Sequence, residues 1–190
     1  MNENPLKNKH EKLNIKVEIA DSEKDWQICK ELRLESIDGP DAEMLGFVEK
    51  DTEAQDVKIA EHVKTKEKWM EETNSKTMFS VLAWADSRPV GLGRVRKVEN
   101  LWRVRNDYVR KEFRNRGIQP KMIALRLREI IRRGGVLAIT NIRTDNLPSL
   151  RNAEKFGFKV VDTEGGWHRM ESDLTLPEVV KKINEALNAG

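Results

Sequence analysis

Residues 114–120 read RNRGIQP, from Arg114 to Pro120, and form a short basic turn that opens directly into a helical pattern. In the first turn of a helix the backbone N–H groups have no partner within the helix. The helix dipole places partial positive charge at the same end, so geometry and charge together favour a bound anion. Arginines add charge-assisted contacts to phosphate oxygens. The stretch therefore predicts a phosphate site, with an ordinary surface turn as the alternative.

The residues after this turn predict an amphipathic helix that begins at Pro120, because proline has no N–H to lose at a first helical position. Apolar residues recur at helical spacing with arginines on the flanks, and Gly134 and Gly135 end the pattern. The apolar positions are Ile123, Leu127, Ile130 and Ile131, and the flanking arginines are Arg126, Arg128, Arg132 and Arg133.

Composition predicts one folded domain with a heavily charged surface. The 190 residues are 38% hydrophobic and 35% charged, with a net charge of +3, which is enough apolar material for a core. This mild charge gives no argument for nucleic acid, for which a clustered basic face is expected. No apolar run is long enough for a membrane span, and the polar N-terminus is unlike a secretory signal. The single cysteine, Cys29, is predicted to be a core residue, and its solitary occurrence favours the reducing cytoplasm.

Alternation and turn residues predict the order strand, two helices, three-strand meander, helix, strand, helix, two strands. This order favours an α/β or α+β fold with a mixed, mostly antiparallel sheet of six or seven strands flanked by helices. Gly91 and Gly93 within a strand predict a bulge or a close backbone approach. The predicted strands are 13–20, 78–85, 90–98, 101–109, 136–143, 158–161 and 167–172, and the later helices are 52–72, 120–133, 149–156 and 177–189.

The domain prediction divides the chain into three parts. Residues 1–12 are expected to be a flexible polar tail, and residues 13–175 are expected to form the domain. Residues 176–190 are expected to form a helix that packs on the domain or in a homodimer interface.

This element order, with the motifs at 114–119 and downstream, resembles the GNAT superfamily of acyl-CoA-dependent N-acyltransferases. The family signature is Q/R-x-x-G-x-G/A, and Arg114, Gly117 and Gln119 occupy its three defined positions. Residues 107–114, DYVRKEFR, are similar to the family's lead-in L-Y-V-x-P-E-Y-R. The resemblance spans roughly residues 13 to 172.

Two further matches support the resemblance. Asn146, Ser149 and residues 154–158, EKFGF, are similar to the family's N-x-x-A/S…E-K-x-G-F ending, in the form found in the branch of ribosomal-protein N-terminal acetyltransferases. A weaker match is LRLES at residues 32–36, with Pro40 after it.

The resemblance implies acetyl-CoA as the acyl donor and no metal. Backbone groups of Tyr108 and Val109 would pair with the pantetheine arm as with a short extra strand. The N–H groups of residues 114–119 would hold the pyrophosphate, and Asn146 would contact the pantetheine or fix the loop beside it. The implied cofactor-binding residues are Tyr108, Val109, Arg114, Asn115, Arg116, Gly117, Ile118, Gln119, Lys121 and Asn146.

Four positions depart from the family pattern. Gln119 replaces a small residue that lets backbone approach phosphate, so its side chain must turn away or bond the cofactor. Pro120 removes one backbone donor. Ala153 stands where many relatives place a tyrosine that protonates the leaving thiolate, and Arg103 stands where histone-type relatives have a glutamate.

The catalytic prediction assigns Asp107 as general base and Ser149 as the proton donor to the thiolate. Asp107 is the carboxylate nearest the strand break where the family's chemistry occurs, and a backbone N–H near Val109 would stabilise the oxyanion. The alternatives are structural. Asp107 would be a strand carboxylate paired with a neighbouring arginine (Arg103, Arg105 or Arg110), and Ser149 would be a helix N-cap after Pro148.

The predicted function is acetyl-CoA-dependent transfer of an acetyl group to a primary amine of a small molecule or peptide. The acidic segment 38–53 is expected to attract a cationic acceptor. One alternative keeps the fold but makes the protein a catalytically weak module that binds CoA or a partner. The disfavoured alternative is a nucleic-acid binder that uses Arg103, Arg105, Arg110, Arg114 and Arg116.

Overall fold

Seven strands form one mixed sheet in the computed structural model, which describes residues 13–21, 23–38 and 76–189. The sheet order is β1-β2-β3-β4-β5-β7-β6. Every neighbouring pair is antiparallel except β4 and β5. The predicted mixed, mostly antiparallel sheet is confirmed. The strands are β1 (Ile15–Ile19), β2 (Met78–Ala85), β3 (Arg88–Val98), β4 (Leu101–Val109), β5 (Leu137–Arg143), β6 (Lys159–Glu164) and β7 (Trp167–Asp173).

Four α-helices accompany the sheet within the described residues: α1 (Trp26–Asp38), α2 (Ile118–Arg132), α3 (Leu147–Glu154) and α4 (Pro177–Asn188). A single 3₁₀ turn, Lys111–Phe113, joins β4 to the segment before α2. None of the described helices has the length and apolar character needed to cross a membrane. The predicted tail 1–12 and the predicted helix 52–72 lie outside the described residues.

Several predicted boundaries were wrong by up to three residues. Helix α2 begins at Ile118 rather than Pro120, which becomes the third helical residue. Proline is tolerated at the third helical position because a backbone N–H at that position would have no partner within the helix. Strands β1 and β5 are shorter than predicted, whereas β3, β6 and β7 extend beyond the predicted ends where pairing with a neighbour continues. Strand β6 continues to Glu164 through its hairpin with β7 although its side chains are exposed.

The sheet separates two apolar clusters. The larger one lies where α2 and α4 pack, and it includes Phe79, Trp102, Leu127 and Ile183. The smaller one lies under α1 and joins Cys29 and Leu32 to Leu82 and Leu92, with Tyr108 packed at its side. Cys29 is fully buried, as predicted, and burial raises the pKa of its thiol to about 12.

The parallel strands β4 and β5 are paired over a short stretch. Trp102 is paired with Ala138 and Arg103 with Ile139. Beyond these positions β4 is paired with β3, and β5 is paired with β7. Among the described residues the two strands therefore part toward their carboxyl ends, and the segment before α2 and the start of α3 stand on either side of this gap.

Helix α4 contributes to the larger cluster through Val179 and Ile183, which are both buried. Gly157, between α3 and β6, has a φ of +78° and lies so close to α4 that a Cβ there would be 2.6 Å from Val179 Cγ2. Gly165 in the β6–β7 turn has a φ of +56° with no atom within 4 Å of such a Cβ. The two glycines share left-handed backbone but differ in their contact with α4.

We expect Gly157→Ala to destabilise the protein more than Gly165→Ala. Left-handed backbone costs an alanine about 1 kcal/mol at either position, and at residue 157 the collision with Val179 adds about 1–3 kcal/mol. Denaturant unfolding of the two variants measures the difference. Equal losses would show that α4 does not pack on the domain in solution.

Candidate active site

A cavity of about 540 Å³ occupies the gap between β4 and β5. All predicted site residues line its wall except Arg116 and Lys121, which the structure does not bring to it. Five residues that were not among the predicted site residues also line the cavity: Phe113, Pro120, Pro148, Asn152 and Lys155.

The amino-terminal end of α2 opens on this cavity without a side-chain cap. Gly117 is the N-cap residue with a φ of +74°, and Asn115 has a φ of +61°, so the chain turns sharply before the helix. The first helical bond runs from the Lys121 N–H to the Gly117 carbonyl. The first-turn N–H groups thus lack a side-chain acceptor, which leaves them available to an anion.

Gln119 turns its side chain away from the helix start. The Asn152 amide Nδ2 donates to Gln119 Oε1 at 2.9 Å, so Gln119 bridges α2 to α3 along the cavity wall. Gln119 lines the cavity, and its side chain, which is larger than the family pattern has, is bonded within the protein.

Asn146, rather than Ser149, caps helix α3. The Asn146 Oδ1 atom accepts from the Ser149 N–H at 3.2 Å, and α3 begins at Leu147. The alternative that made Ser149 the N-cap was therefore wrong. Asn146 uses its side chain for this cap in a largely buried position, while the Ser149 side chain stays in the cavity wall.

Asp107 is ion-paired with Arg126 of α2. Arg126 was predicted on a helix flank, but its side chain is fully buried. Its Nε donates to the Met122 carbonyl at 3.1 Å, its Nη1 lies 3.5 Å from the Arg105 carbonyl, and its Nη2 has no partner within the described residues. The arginine partner of Asp107 thus comes from the helix and not from the neighbouring strand positions that the sequence indicated.

A bulge in β4 places Asp107 against Arg126. Leu92 is paired with Tyr108 and Arg94 with Arg105, so β4 has one residue more than β3 between these pairs. Gly93 lies opposite the bulge, where a Cβ would be 3.0 Å from the Arg126 Cζ. The extra residue of the bulge is thus on β4 and not on β3, the strand whose glycines predicted a bulge or a close backbone approach. At Gly93 the group that lies close is the Arg126 guanidinium, for which the missing side chain makes room.

On the opposite face of the sheet, Glu35 of α1 holds the end of β4. Glu35 accepts from Arg110 Nε at 2.9 Å and from the Tyr108 hydroxyl at 3.2 Å. The hydrogen bond from Arg110 lowers the pKa of Glu35. Burial, and next the Glu35 charge, raises the pKa of Tyr108 to about 12. Tyr108 therefore stays protonated at neutral pH and is a hydrogen-bond donor.

Arginines of β3 and β4 lie opposite one another on this face, Arg94 with Arg105 and Arg96 with Arg103. Burial, followed by repulsion from Arg103 and Arg96, lowers the pKa of Arg105. Arg110 is bonded to Glu35, and Arg114 Nε donates to the Val109 carbonyl at 2.9 Å. Arg33 is buried under α1, and burial, followed by repulsion from Arg94 and Arg105, lowers its pKa to about 9. Of the five arginines in the nucleic-acid alternative, Arg110 and Arg114 are thus engaged in contacts within the protein.

A sheet divided between two parallel strands, with an uncapped helix start beside the division, is the arrangement expected from the resemblance to acyl-CoA-dependent acyltransferases. The chain belongs to the GNAT acetyltransferase family, because the model of the acetyltransferase (GNAT) domain matches residues 48–167, well over half of its length. No curated protein sequence matches the chain.

Solved structures support the fold. PaiA N-acetyltransferase from Thermoplasma acidophilum, in complex with coenzyme A, is 22% identical with a TM-score of 0.67, covering 84% of this chain and 99% of that one. The ribosomal-protein-S18-alanine N-acetyltransferase from Escherichia coli is 10% identical (TM-score 0.60; 86% and 96% covered). The yncA protein from Salmonella typhimurium, with its cofactor acetyl-CoA, is 17% identical (TM-score 0.60; 85% and 94% covered). At these identities the likeness establishes the fold.

We expect Arg126→Met to lower the free energy of unfolding by about 3 kcal/mol, because the change removes one partner of a buried ion pair. The double variant R126M/D107N should lose less than the sum of R126M and D107N, since each single change leaves the other group without its partner. Urea unfolding of all four proteins measures the coupling. Arg128→Met, on the exposed side of α2, is the control and should stay within about 0.5 kcal/mol of the parent. Additive losses would contradict the pair.

Tyr108 is the only tyrosine of the chain, so tyrosinate absorbance reports on it alone. We expect ionisation near pH 12 in the folded protein, against an ordinary value of 10.0. Because the folded pKa is raised, the contribution of the protonated hydroxyl to stability is complete below pH 10 and is lost as the pH rises toward 12. Glu35→Gln should lower the midpoint but leave it above 10, since burial is the larger cause.

The control for this titration is Glu112→Gln, because Glu112 pairs with exposed Arg88 and not with Tyr108. Circular dichroism at each pH establishes that the fold persists through the transition. A midpoint that is the same in E35Q and in the parent protein would contradict the contact between Glu35 and Tyr108.

Proposed function

We propose that this protein is an acetyl-CoA-dependent N-acetyltransferase that acts on a primary amine of a small molecule or peptide. The observation that carries the proposal is the uncapped start of α2 at the gap between β4 and β5. The family membership of the chain supports acetyl transfer in general. The acceptor and the residue roles below are our proposal.

The residues of the cavity suit acetyl-CoA. The α2 N-terminus offers backbone donors and a favourable dipole to a pyrophosphate, and Arg114 stands beside it. The edge of β4 beyond Arg103 has no strand partner on the β5 side among the described residues, so backbone groups of Tyr108 and Val109 are available to an amide-bearing chain. Arg114 already uses the Val109 carbonyl, and a carbonyl oxygen can accept a second bond.

Acetyl-CoA, when bound, supplies an acetyl group activated as a thioester. Asp107 accepts the proton that the attacking amine must lose, directly or through one water. It is the only carboxylate among the described residues of the cavity wall. The ion pair with Arg126 holds this carboxylate from the α2 side, so its position at the bulge is set before an acceptor binds.

Ser149 donates the proton that the departing thiolate needs. Tyr108 and Ser149 carry the hydroxyl groups of the described cavity wall, and the Tyr108 hydroxyl is bonded to Glu35 on the other face. Ala153 has no proton to donate and is buried in the core. The cap on α3 comes from Asn146, so the Ser149 hydroxyl is not required for the helix.

A second candidate is a module of the same fold that binds CoA without efficient transfer. The ion pair of Asp107 favours this reading, because a carboxylate that stabilises a buried guanidinium can be purely structural. Both candidates predict CoA binding. They differ in whether a free thiol is released when amines are present.

Calorimetry with acetyl-CoA and CoA, followed by a thiol-release screen, tests the proposal. The panel contains polyamines, aminoglycosides, amino acids and peptides with free N-termini. We expect binding of both nucleotides and amine-dependent thiol release with at least one class. Absence of binding would refute the function, and binding without thiol release across the panel would favour the second candidate.

Variants of the cavity assign the roles in the same assay. Asp107→Asn is expected to lower kcat/KM by 10²–10⁴-fold, the range for loss of a general base, with acetyl-CoA affinity retained. Ser149→Ala should lower kcat with little effect on that affinity, because the cap on α3 remains. Thr163→Ala, in the exposed β6–β7 hairpin, is the control. Full activity of D107N would exclude Asp107 as the base.

A further inference from the structure

Lys155 is a cation of the cavity wall to which the sequence gave no role. It follows the last residue of α3 and lines the cavity together with the start of α2. Lys155 is an exposed residue, so its ammonium group is accessible to solvent and to ligands.

A chain of side-chain hydrogen bonds directs Lys155 toward the cavity. Lys155 Nζ donates to Asn152 Oδ1 at 3.3 Å, and Asn152 Nδ2 donates to Gln119 Oε1 at 2.9 Å. The Asn152 amide is thus held on both sides, between α2 and α3. The lysine is anchored beside the phosphate end of the cavity, where an unsupported lysine would extend into water.

Lys155 has no carboxylate partner among the described residues, since its hydrogen-bond acceptor is a neutral amide oxygen. The one carboxylate of the described cavity wall, Asp107, belongs to Arg126. The ammonium charge is therefore not compensated by the part of the protein that the structure describes. Such a charge at a cavity wall favours an anionic ligand group.

The position of Lys155 indicates which phosphate it meets. Ser149, near the first residue of α3, is the proposed thioester end of the cavity. Lys155 stands after the last residue of this helix, six residues and roughly 9 Å farther along it. The uncapped N–H groups of α2 already provide for the pyrophosphate. Lys155 would therefore meet an anionic group that lies farther from the thioester than the pyrophosphate does. In coenzyme A this group is the 3′-phosphate of the nucleotide.

We propose that Lys155, held by Asn152 and Gln119, binds the 3′-phosphate of coenzyme A and makes the protein select CoA over its 3′-dephospho form. This inference rests on the proposed use of acetyl-CoA. The lysine acts on binding and takes no part in the acetyl transfer, so it is a specificity residue.

Calorimetry with CoA and with 3′-dephospho-CoA tests the inference without an acceptor. We expect the parent protein to bind 3′-dephospho-CoA about tenfold more weakly than CoA, the worth of one charge-assisted contact. Lys155→Met should bind CoA about tenfold more weakly than the parent and should no longer distinguish the two nucleotides. Lys155→Arg should keep part of the selectivity, because it keeps the charge.

Lys159→Met is the matched control, because Lys159 is an exposed lysine of β6 outside the cavity wall. It should retain both affinities. Asn152→Ala removes the support of the lysine but keeps its charge, and it should lose part of the selectivity. Unchanged selectivity in N152A would overturn the positioning by the amide.

Two outcomes overturn the role of Lys155 itself. Equal weakening of both nucleotides in K155M would place the lysine on the pyrophosphate, and unchanged affinity for CoA in K155M would place it on no phosphate. Failure of the parent protein to bind either nucleotide is a different result, because it refutes the proposed function and with it the basis of the inference.

Discussion

The ion pair between Arg126 and Asp107 determines how the centre of the sheet meets α2. A guanidinium without contact to solvent must find acceptors inside the protein, because a buried charge without partners is costly. Arg126 finds them in the Met122 carbonyl, the Arg105 carbonyl and the Asp107 carboxylate. Two of these acceptors lie on β4 at its bulge, and Gly93 provides the space. Helix α2, β3 and β4 are therefore fixed to one another at one point.

The end of β4 is held from both faces of the sheet, and this leaves its β5-side edge as the part that can receive a ligand. Arg126 holds Asp107 from the α2 side, while Glu35 of α1 binds Tyr108 and Arg110 from the other side. Neither group of contacts uses the edge that faces β5. A strand edge without a partner exposes backbone donors and acceptors, and here the surrounding contacts fix its direction.

Alternation and turn residues predicted the strands and the mixed sheet, because these features depend on local pattern. Most of the cavity wall was predicted through the family resemblance, which named residues on separate elements. Gly91 and Gly93 indicated an irregularity, but its extra residue lies on β4. The burial of Arg126 was missed because charge was taken as a sign of exposure, although its spacing of three from Ile123 and four from Ile130 placed it on the apolar stripe of α2. Asn152 and Lys155 could not be predicted, since their role depends on the distance between α2 and α3. Arg116 and Lys121 were also predicted, but they lie outside the cavity wall, because sequence proximity to a turn does not fix the direction of a side chain.

The cap of α3 links the local structure to the proposed chemistry. A serine near a helix start commonly caps it, and a capping hydroxyl would be occupied by a backbone N–H. Because Asn146 accepts the N–H of Ser149, the hydroxyl of Ser149 is left for the cavity. Ala153, on the next turn, is buried in the core and has no hydroxyl. The asparagine cap thus satisfies the helix and leaves the Ser149 hydroxyl for the proton transfer that we propose.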